Sequence, residues 1–267
     1  MKLKNLTGFL LIWVLLLVVF GCSPLKNVQV EERSGKRIAF IKEGVGSPSV
    51  IFESGFEGGM ETWAGIIDSV AMYTSVYAYD RAGYGRSNLK DPPHSIEELA
   101  QQLHTNLIAR NIPPPYVLVG YSGGALFISM FARLYPDKVK GVLMIDPTHP
   151  DLYDYLRENE ALIYDLLFDY VGEGQRRYEF DLIKNSSKEF RDAPDFPDVP
   201  LIVLMAGRHT TLESEALRDK MLEFHEDLKK LSPYGTRYLI EDSGHSIHKS
   251  DPQLVVDHIL GFLDGAN

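Results

Sequence analysis

The chain has 267 residues and one cysteine, so no disulfide can form within it and no framework of cross-links supports the fold. Positive charge is also short. Lys and Arg number 27 against 37 Asp and Glu, a formal net charge of −10. A nucleic-acid backbone needs a basic face to displace its counterions, so this balance argues against a nucleic-acid partner. No apolar run reaches the roughly 18–20 residues that cross a bilayer; Phe9 to Phe20 stops at twelve. No His-x-x-x-His or Cys-His cluster has metal-ligand spacing, and no metal is expected. The glycines after Asp80 follow an acidic residue and open a loop, the wrong context for a phosphate-binding turn, so no nucleotide, flavin or other cofactor is expected. Repeats and low-complexity tracts are absent. What remains is 45% hydrophobic and 24% charged, ordinary for a globular domain, and the length favours one large domain over two small ones.

The N-terminus carries Lys2 and Lys4, then the apolar run, then Val19-Phe20-Gly21-Cys22-Ser23. A short positive region followed by a run of this length is the pattern of a secretory signal. The closing segment resembles the lipobox of bacterial lipoproteins, in which a small residue precedes the cysteine that is acylated. That resemblance implies a signal peptide over 1–21, a lipidated Cys22, a tether over 22–27 and a domain held at a membrane of the cell envelope, facing the periplasm or exterior; acyl chains in pairs suffice for stable anchoring. An ordinary signal peptide, or an uncleaved anchor, is the other reading.

Alternating residues over 28–32 and 37–42 around Ser34-Gly35 predict a hairpin. Short apolar runs follow at 49–53, 75–79, 116–120, 140–145, 201–205 and 237–240, which suits strands covered on both faces. Between them, 61–72, 95–110, 123–135, 212–231 and 252–263 space their apolar residues as helices. Ser95 with Glu98 resembles a capping box, and Asp251-Pro252 is a helix start. Strands alternating with helices predict a mostly parallel α/β sheet of about eight strands with helices on both faces. The alternation fails from about 147 to 198, where two or three helical pieces predict an inserted cap.

Gly120-Tyr121-Ser122-Gly123-Gly124 fits G-x-S-x-G, directly after a predicted strand and before a predicted helix. A hydroxyl on such a sharp turn projects clear of both elements, and the helix N-terminus faces the oxygen that turns negative during acyl transfer. Three other segments complete a resemblance to the α/β-hydrolase superfamily over residues 28–267. They are Glu53-Ser54-Gly55-Phe56-Glu57-Gly58, Asp80-Arg81-Ala82-Gly83-Tyr84-Gly85-Arg86-Ser87 and Ser243-Gly244-His245. The resemblance implies Ser122 as nucleophile, His245 as general base, and an oxyanion hole made by the backbone N–H groups of Phe56 and Gly123. His248 and His149 are the rival bases. The usual acid position, after the seventh strand, holds no Asp; the implied acid is Asp146, after the sixth strand, with Glu213 or Glu215 as alternatives. Asp80 and Arg81 read as ordering their own loop.

Three functions fit. One is a carboxylic-ester hydrolase acting on a small acyl substrate. The second is an aminopeptidase or amidase like the proline iminopeptidases of this superfamily, in which cap carboxylates hold the substrate's amine. The third is a non-catalytic lipoprotein that keeps the fold. The cap bears Asp151, Asp154, Glu158, Glu160, Asp165, Asp169 and Glu173 against Arg157 alone over 151–173. These residues form either a solvated face or a pocket for a cation. Its Tyr153, Tyr155, Leu156, Ile163, Leu166, Leu167 and Phe168 line an acyl pocket or simply fill the cap's core. The sequence leaves oligomeric state open.

Overall fold

The computed structural model describes residues 25–208 and 213–265. The signal segment 1–21 and Cys22 lie outside them. Strands β1 Gln29–Arg33, β2 Lys36–Glu43, β3 Ser49–Glu53, β4 Val76–Tyr79, β5 Tyr116–Tyr121, β6 Val139–Ile145, β7 Leu201–Ala206 and β8 Gly235–Ile240 form one eight-stranded sheet in the order β1-β2-β4-β3-β5-β6-β7-β8. β1 and β2 are antiparallel, and β2 runs antiparallel to β4. Every other pairing is parallel. The leading hairpin turns at Ser34 and Gly35, both at positive φ (51° and 73°), the two-residue geometry that matches strand twist. β3, β4 and β7 are buried at every residue, which is why they read as unbroken apolar runs.

Two hydrophobic layers sandwich the sheet. On one face Ile51, Tyr77, Leu118, Met144 and Val203 pack against α2 Ile96–Ala109, α3 Gly124–Leu134 and α8 Glu215–Lys229. On the other, Phe52, Val119, Leu143 and Leu204 pack against α1 Ile67–Ala71, α9 Ile247–Ser250 and α10 Pro252–Asp264. Alternation along each strand assigns its side chains to the two layers. Four helices stand between β6 and β7: α4 Leu152–Asn159, α5 Ala161–Val171, α6 Gln175–Lys184 and α7 Ser186–Asp192.

Three expectations need correction. The stretch 61–72 is not one helix but a 3₁₀ turn over Met60–Trp63 followed by α1; Gly65 sits at the break, where an interior glycine costs helix about 1 kcal/mol. The cap has four helices, not two or three: besides the break at Gly172 and Gly174, whose φ of 59° and 82° favour glycine, the chain leaves helical geometry at Glu160 (φ −133°, ψ 50°) and again at Asn185 (φ −95°, ψ 2°). Ser95 caps α2 by accepting from the Glu98 N–H at 3.0 Å, but Glu98 reaches the N–H of His94 at 2.8 Å, so the box closes one residue early. Asp251 caps α10 through the Leu254 N–H at 3.0 Å.

Candidate active site

The loops after β3, β5, β6 and β8 meet at the carboxyl ends of the parallel strands, the edge where open α/β sheets hold their ligands. Ser122 takes φ +53° between β5 and α3, an uncommon conformation for a residue with a Cβ. It is pinned there by its N–H on Ile145 O at 3.0 Å and by its own carbonyl, which accepts from Ala125 N at 3.1 Å and Thr148 N at 3.2 Å. The flanking glycines make room. A Cβ on Gly120 would lie 2.9 Å from Ala125 Cα, and one on Gly124 would lie 2.4 Å from the carbonyl oxygen of Glu53.

From the loop after β8, the His245 Nε2 comes to 3.1 Å from Ser122 Oγ. Its Nδ1 lies 2.6 Å from Asp146 Oδ2. Asp146 stands at the end of β6 with φ +41°, and its Oδ1 accepts the Ala206 N–H at 2.9 Å. Burial pushes this carboxyl up, but the His245 bond and charge and the Ala206 N–H outweigh it and hold the group below the usual carboxylate range. Asp146 therefore stands beside His245, while Glu215 opens α8. Neither rival histidine is placed like His245. His248 is buried at 3% exposure between Trp63 and Tyr121. His149 stacks on Phe224 and accepts the Asp151 N–H at its Nδ1. Burial lowers the pKa of both to about 4.

The β3 loop faces Ser122 from the other side. A Cβ on Gly55 would lie 3.0 Å from Ser122 Cβ, and one on Gly123 would lie 3.7 Å from Phe56 N. The Phe56 amide nitrogen thus lies close to Gly123, the residue after Ser122. The loop is stitched by Trp63 Nε1 donating to Ser54 Oγ at 2.9 Å and Ser54 Oγ donating to Gly59 O at 2.7 Å.

Asp80 does order its own loop, accepting from Met60 N at 3.0 Å and Arg86 N at 2.9 Å. Arg81 does so through its carbonyl, which accepts the Tyr84 N–H at 3.0 Å. Its side chain crosses to the β3 loop, with Nη1 on Glu53 Oε1 and Ser54 O and Nη2 on Gly55 O, each at 2.7 Å. Nη2 also meets Glu179 Oε1 of α6 at 2.5 Å. Sequence reading missed Glu179 and its neighbour Ile183. The latter's Cδ1 would lie 2.9 Å from a Cβ on Gly123, so the cap roofs the site there. No local signal marked it: Glu179 shares the Tyr178–Ile183 segment with a second acid, Asp181, and the pattern does not tell which of the two is buried.

An eight-stranded, mostly parallel sheet with a Ser elbow, a facing His and a glycine-bearing loop defines a class, and the comparison agrees. A family profile described as alpha/beta hydrolase fold matches residues 48–185, just over half of the chain, which therefore belongs to that family. Among curated relatives, the uncharacterized protein YqjL of Bacillus subtilis is 24% identical over 214 residues, 80% of this chain and 83% of its own length. The (lyso)-N-acylphosphatidylethanolamine lipase of Bos taurus is 28% identical over 102 residues, 37% of this chain but only 30% of the lipase. Among solved structures, a probable hydrolytic enzyme of Pseudomonas aeruginosa aligns with TM-score 0.65 at 17% identity, over 89% of this chain and 93% of that one. A thermophilic esterase of Thermogutta terrifontis aligns with TM-score 0.59 at 19% identity, over 89% and 97%.

Proposed function

We propose that the protein is a serine hydrolase that cleaves a carboxylic ester through an acyl-enzyme on Ser122. The observation that carries this reading is the relay of 3.1 Å from Ser122 Oγ to His245 Nε2 and 2.6 Å from His245 Nδ1 to Asp146 Oδ2. A serine hydroxyl is a weak nucleophile until a base takes its proton. With Nδ1–H donated to the Asp146 carboxylate, Nε2 keeps its lone pair for the Ser122 proton. Oγ then bonds to the ester carbon, and the carbonyl electron pair moves to oxygen, where the Phe56 and Gly123 N–H groups receive it. Each such donor is worth about 2.7–4 kcal/mol in the transition state. Collapse expels the alkoxide, which takes the proton from imidazolium. Water, deprotonated by His245, attacks the acyl group and returns Ser122 with release of the acid.

Ester rather than amide is favoured by the cap. Holding a cationic amine would need free carboxylates turned into the site. Instead Asp154 and Glu158 share Arg157, Asp151 takes the Ser187 hydroxyl, Glu160 takes that of Ser214, and Asp165, Asp169 and Glu173 face solvent. The lipase and esterase names among the relatives agree with this reading. Attachment to a membrane through a lipidated Cys22 belongs to the same proposal.

A fluorophosphonate probe with chromogenic ester and aminoacyl-anilide panels tests it. Wild type is expected to label and to hydrolyse esters, and Ser122→Ala to do neither. Equal labelling of both proteins would overturn the assignment, and faster anilide than ester turnover would replace it with the amidase reading.

A further inference from the structure

Glu179 has a second bond that points past structure alone. Its Oε1 holds Arg81 Nη2 at 2.5 Å, and its Oε2 accepts the backbone N–H of Glu57 at 3.2 Å. Glu179 is 2% exposed, Arg81 6% and Glu53 1%. Charges are seldom taken this far from water without full pairing. Here the two Nη groups of Arg81 are spent on two carboxylates and two carbonyls.

Glu179 acts on the two peptide groups that bracket Phe56, on one directly and on the other through Arg81. A trans peptide is a rigid plane in which C=O and N–H point oppositely. Arg81 grips Gly55 O at 2.7 Å, which is the far end of the plane that carries the Phe56 N–H. The next plane carries the Glu57 N–H, which Glu179 grips directly. Both backbone torsions of Phe56 are thereby set from outside the loop. The cap also holds the Glu57 side chain, through the Tyr170 hydroxyl at 3.3 Å and through Arg176. Glu57 itself sits at φ +59°, a conformation a free loop would leave readily.

We infer that Glu179 is a positioning residue for the oxyanion hole, tying the cap helix α6 to the β3 loop so that the Phe56 N–H stays aimed at the carbonyl oxygen of the substrate. This deepens the acyl-enzyme reading and rests on it. The cap is then a working part of the hole as well as its roof, and loss of Glu179 weakens transition-state binding more than substrate binding. Misplacing a donor by an ångström costs up to about a hundredfold in rate.

The test compares Glu179→Gln with wild type on one chromogenic ester and on a trifluoromethyl ketone, whose hemiketal oxyanion occupies the same hole. The expected result is kcat down about ten- to a hundredfold with KM within about threefold, and ketone affinity weakened by the same factor as kcat. Leu182→Ala, which removes buried packing from the same helix without touching the polar network, is the control for a loosened cap; it lowers the melting temperature and leaves kcat and ketone affinity uncoupled. Should Glu179→Gln not fold, Arg81→Lys keeps the charge but loses the fork, and the same paired loss is expected. Unchanged kcat and ketone affinity in Glu179→Gln, with Ser122→Ala inactive, overturns this inference alone. Persisting turnover in Ser122→Ala overturns the acyl-enzyme reading and this inference with it.

Discussion

At the scale of single residues the site is a chain of protons and charges with one weak link open to measurement. Asp146 is 13% exposed and His245 56%, so the imidazole meets solvent while its orienting carboxylate does not. Changing Asp146 to Asn keeps the shape but replaces an acceptor-only group with one that also donates. The amide then favours the His245 tautomer with its proton on Nε2, which cannot accept from Ser122. Turnover is expected to fall by about 10⁴-fold, the loss seen when the same role is removed elsewhere, with little change in KM or in the far-ultraviolet spectrum. A near-normal kcat for Asp146→Asn would mean that another carboxylate orients His245. Asp146 was legible from its place after the sixth strand together with the gap after the seventh. Glu179 was not, because its partner Arg81 lies 98 positions away and only the folded cap brings them together.

At the scale of elements the decisive contact is between the elbow and the β3 loop. Gly124 opens α3 so close to β3 that a Cβ there would lie 2.4 Å from Glu53 O and 2.5 Å from Ser54 O. Both obstacles are backbone and cannot rotate away. Gly124→Ala must push the β3 loop, and with it the Phe56 amide, off its position. We expect a stability loss of about 1–3 kcal/mol and a larger fractional loss of kcat, read from urea unfolding and from ester turnover. Gly65→Ala is the contrast: nothing lies within 4 Å of its Cβ, and the change is expected to be neutral or to stabilise by about 0.4–1 kcal/mol through the unfolded chain. A Gly124→Ala protein with wild-type kcat would show that elbow and loop are not coupled. The strands and the long helices were readable because burial on both faces writes short apolar runs, and burial on one face writes a 3.6-residue period. The cap was read as helical, and its break at Gly172 and Gly174 was legible from the glycines. The breaks at Glu160 and Asn185 were not, because they follow local backbone geometry within a stretch whose apolar pattern hardly changes. The β3 loop showed its glycines but not its clamp, since hydrogen bonds to backbone carbonyls leave no mark on composition.

At the scale of the whole molecule, buried histidines should set how stability responds to acid. His248 lies beneath the His245 loop, 3% exposed, with its ring 5.6 Å from Trp63 and 4.3 Å from Tyr121. Neither ring nitrogen has a hydrogen-bond partner among the described residues. Burial, with Lys249 and His245 nearby, drops its pKa from 6.5 to about 4. In the unfolded chain the same ring protonates as pH falls through 6.5, while in the folded protein it stays neutral until about 4. Between those values unfolding takes up a proton, so stability falls as pH falls, and below about 4 the loss is complete. The shift corresponds to roughly 3 kcal/mol, a large share of the roughly 5–15 kcal/mol that holds a domain together. His149, also lowered to about 4 by burial, acts in the same window with the same sign. Replacing His248 with Phe keeps an aromatic ring between Trp63 and Tyr121 and removes the titration. Urea midpoints of wild type are therefore expected to decline steadily from pH 7 to pH 4, and those of His248→Phe to decline distinctly less, with the curves diverging below pH 6.5. Parallel curves across that range would show that the ring is protonated equally in both states, and that the acid sensitivity of the fold comes from elsewhere.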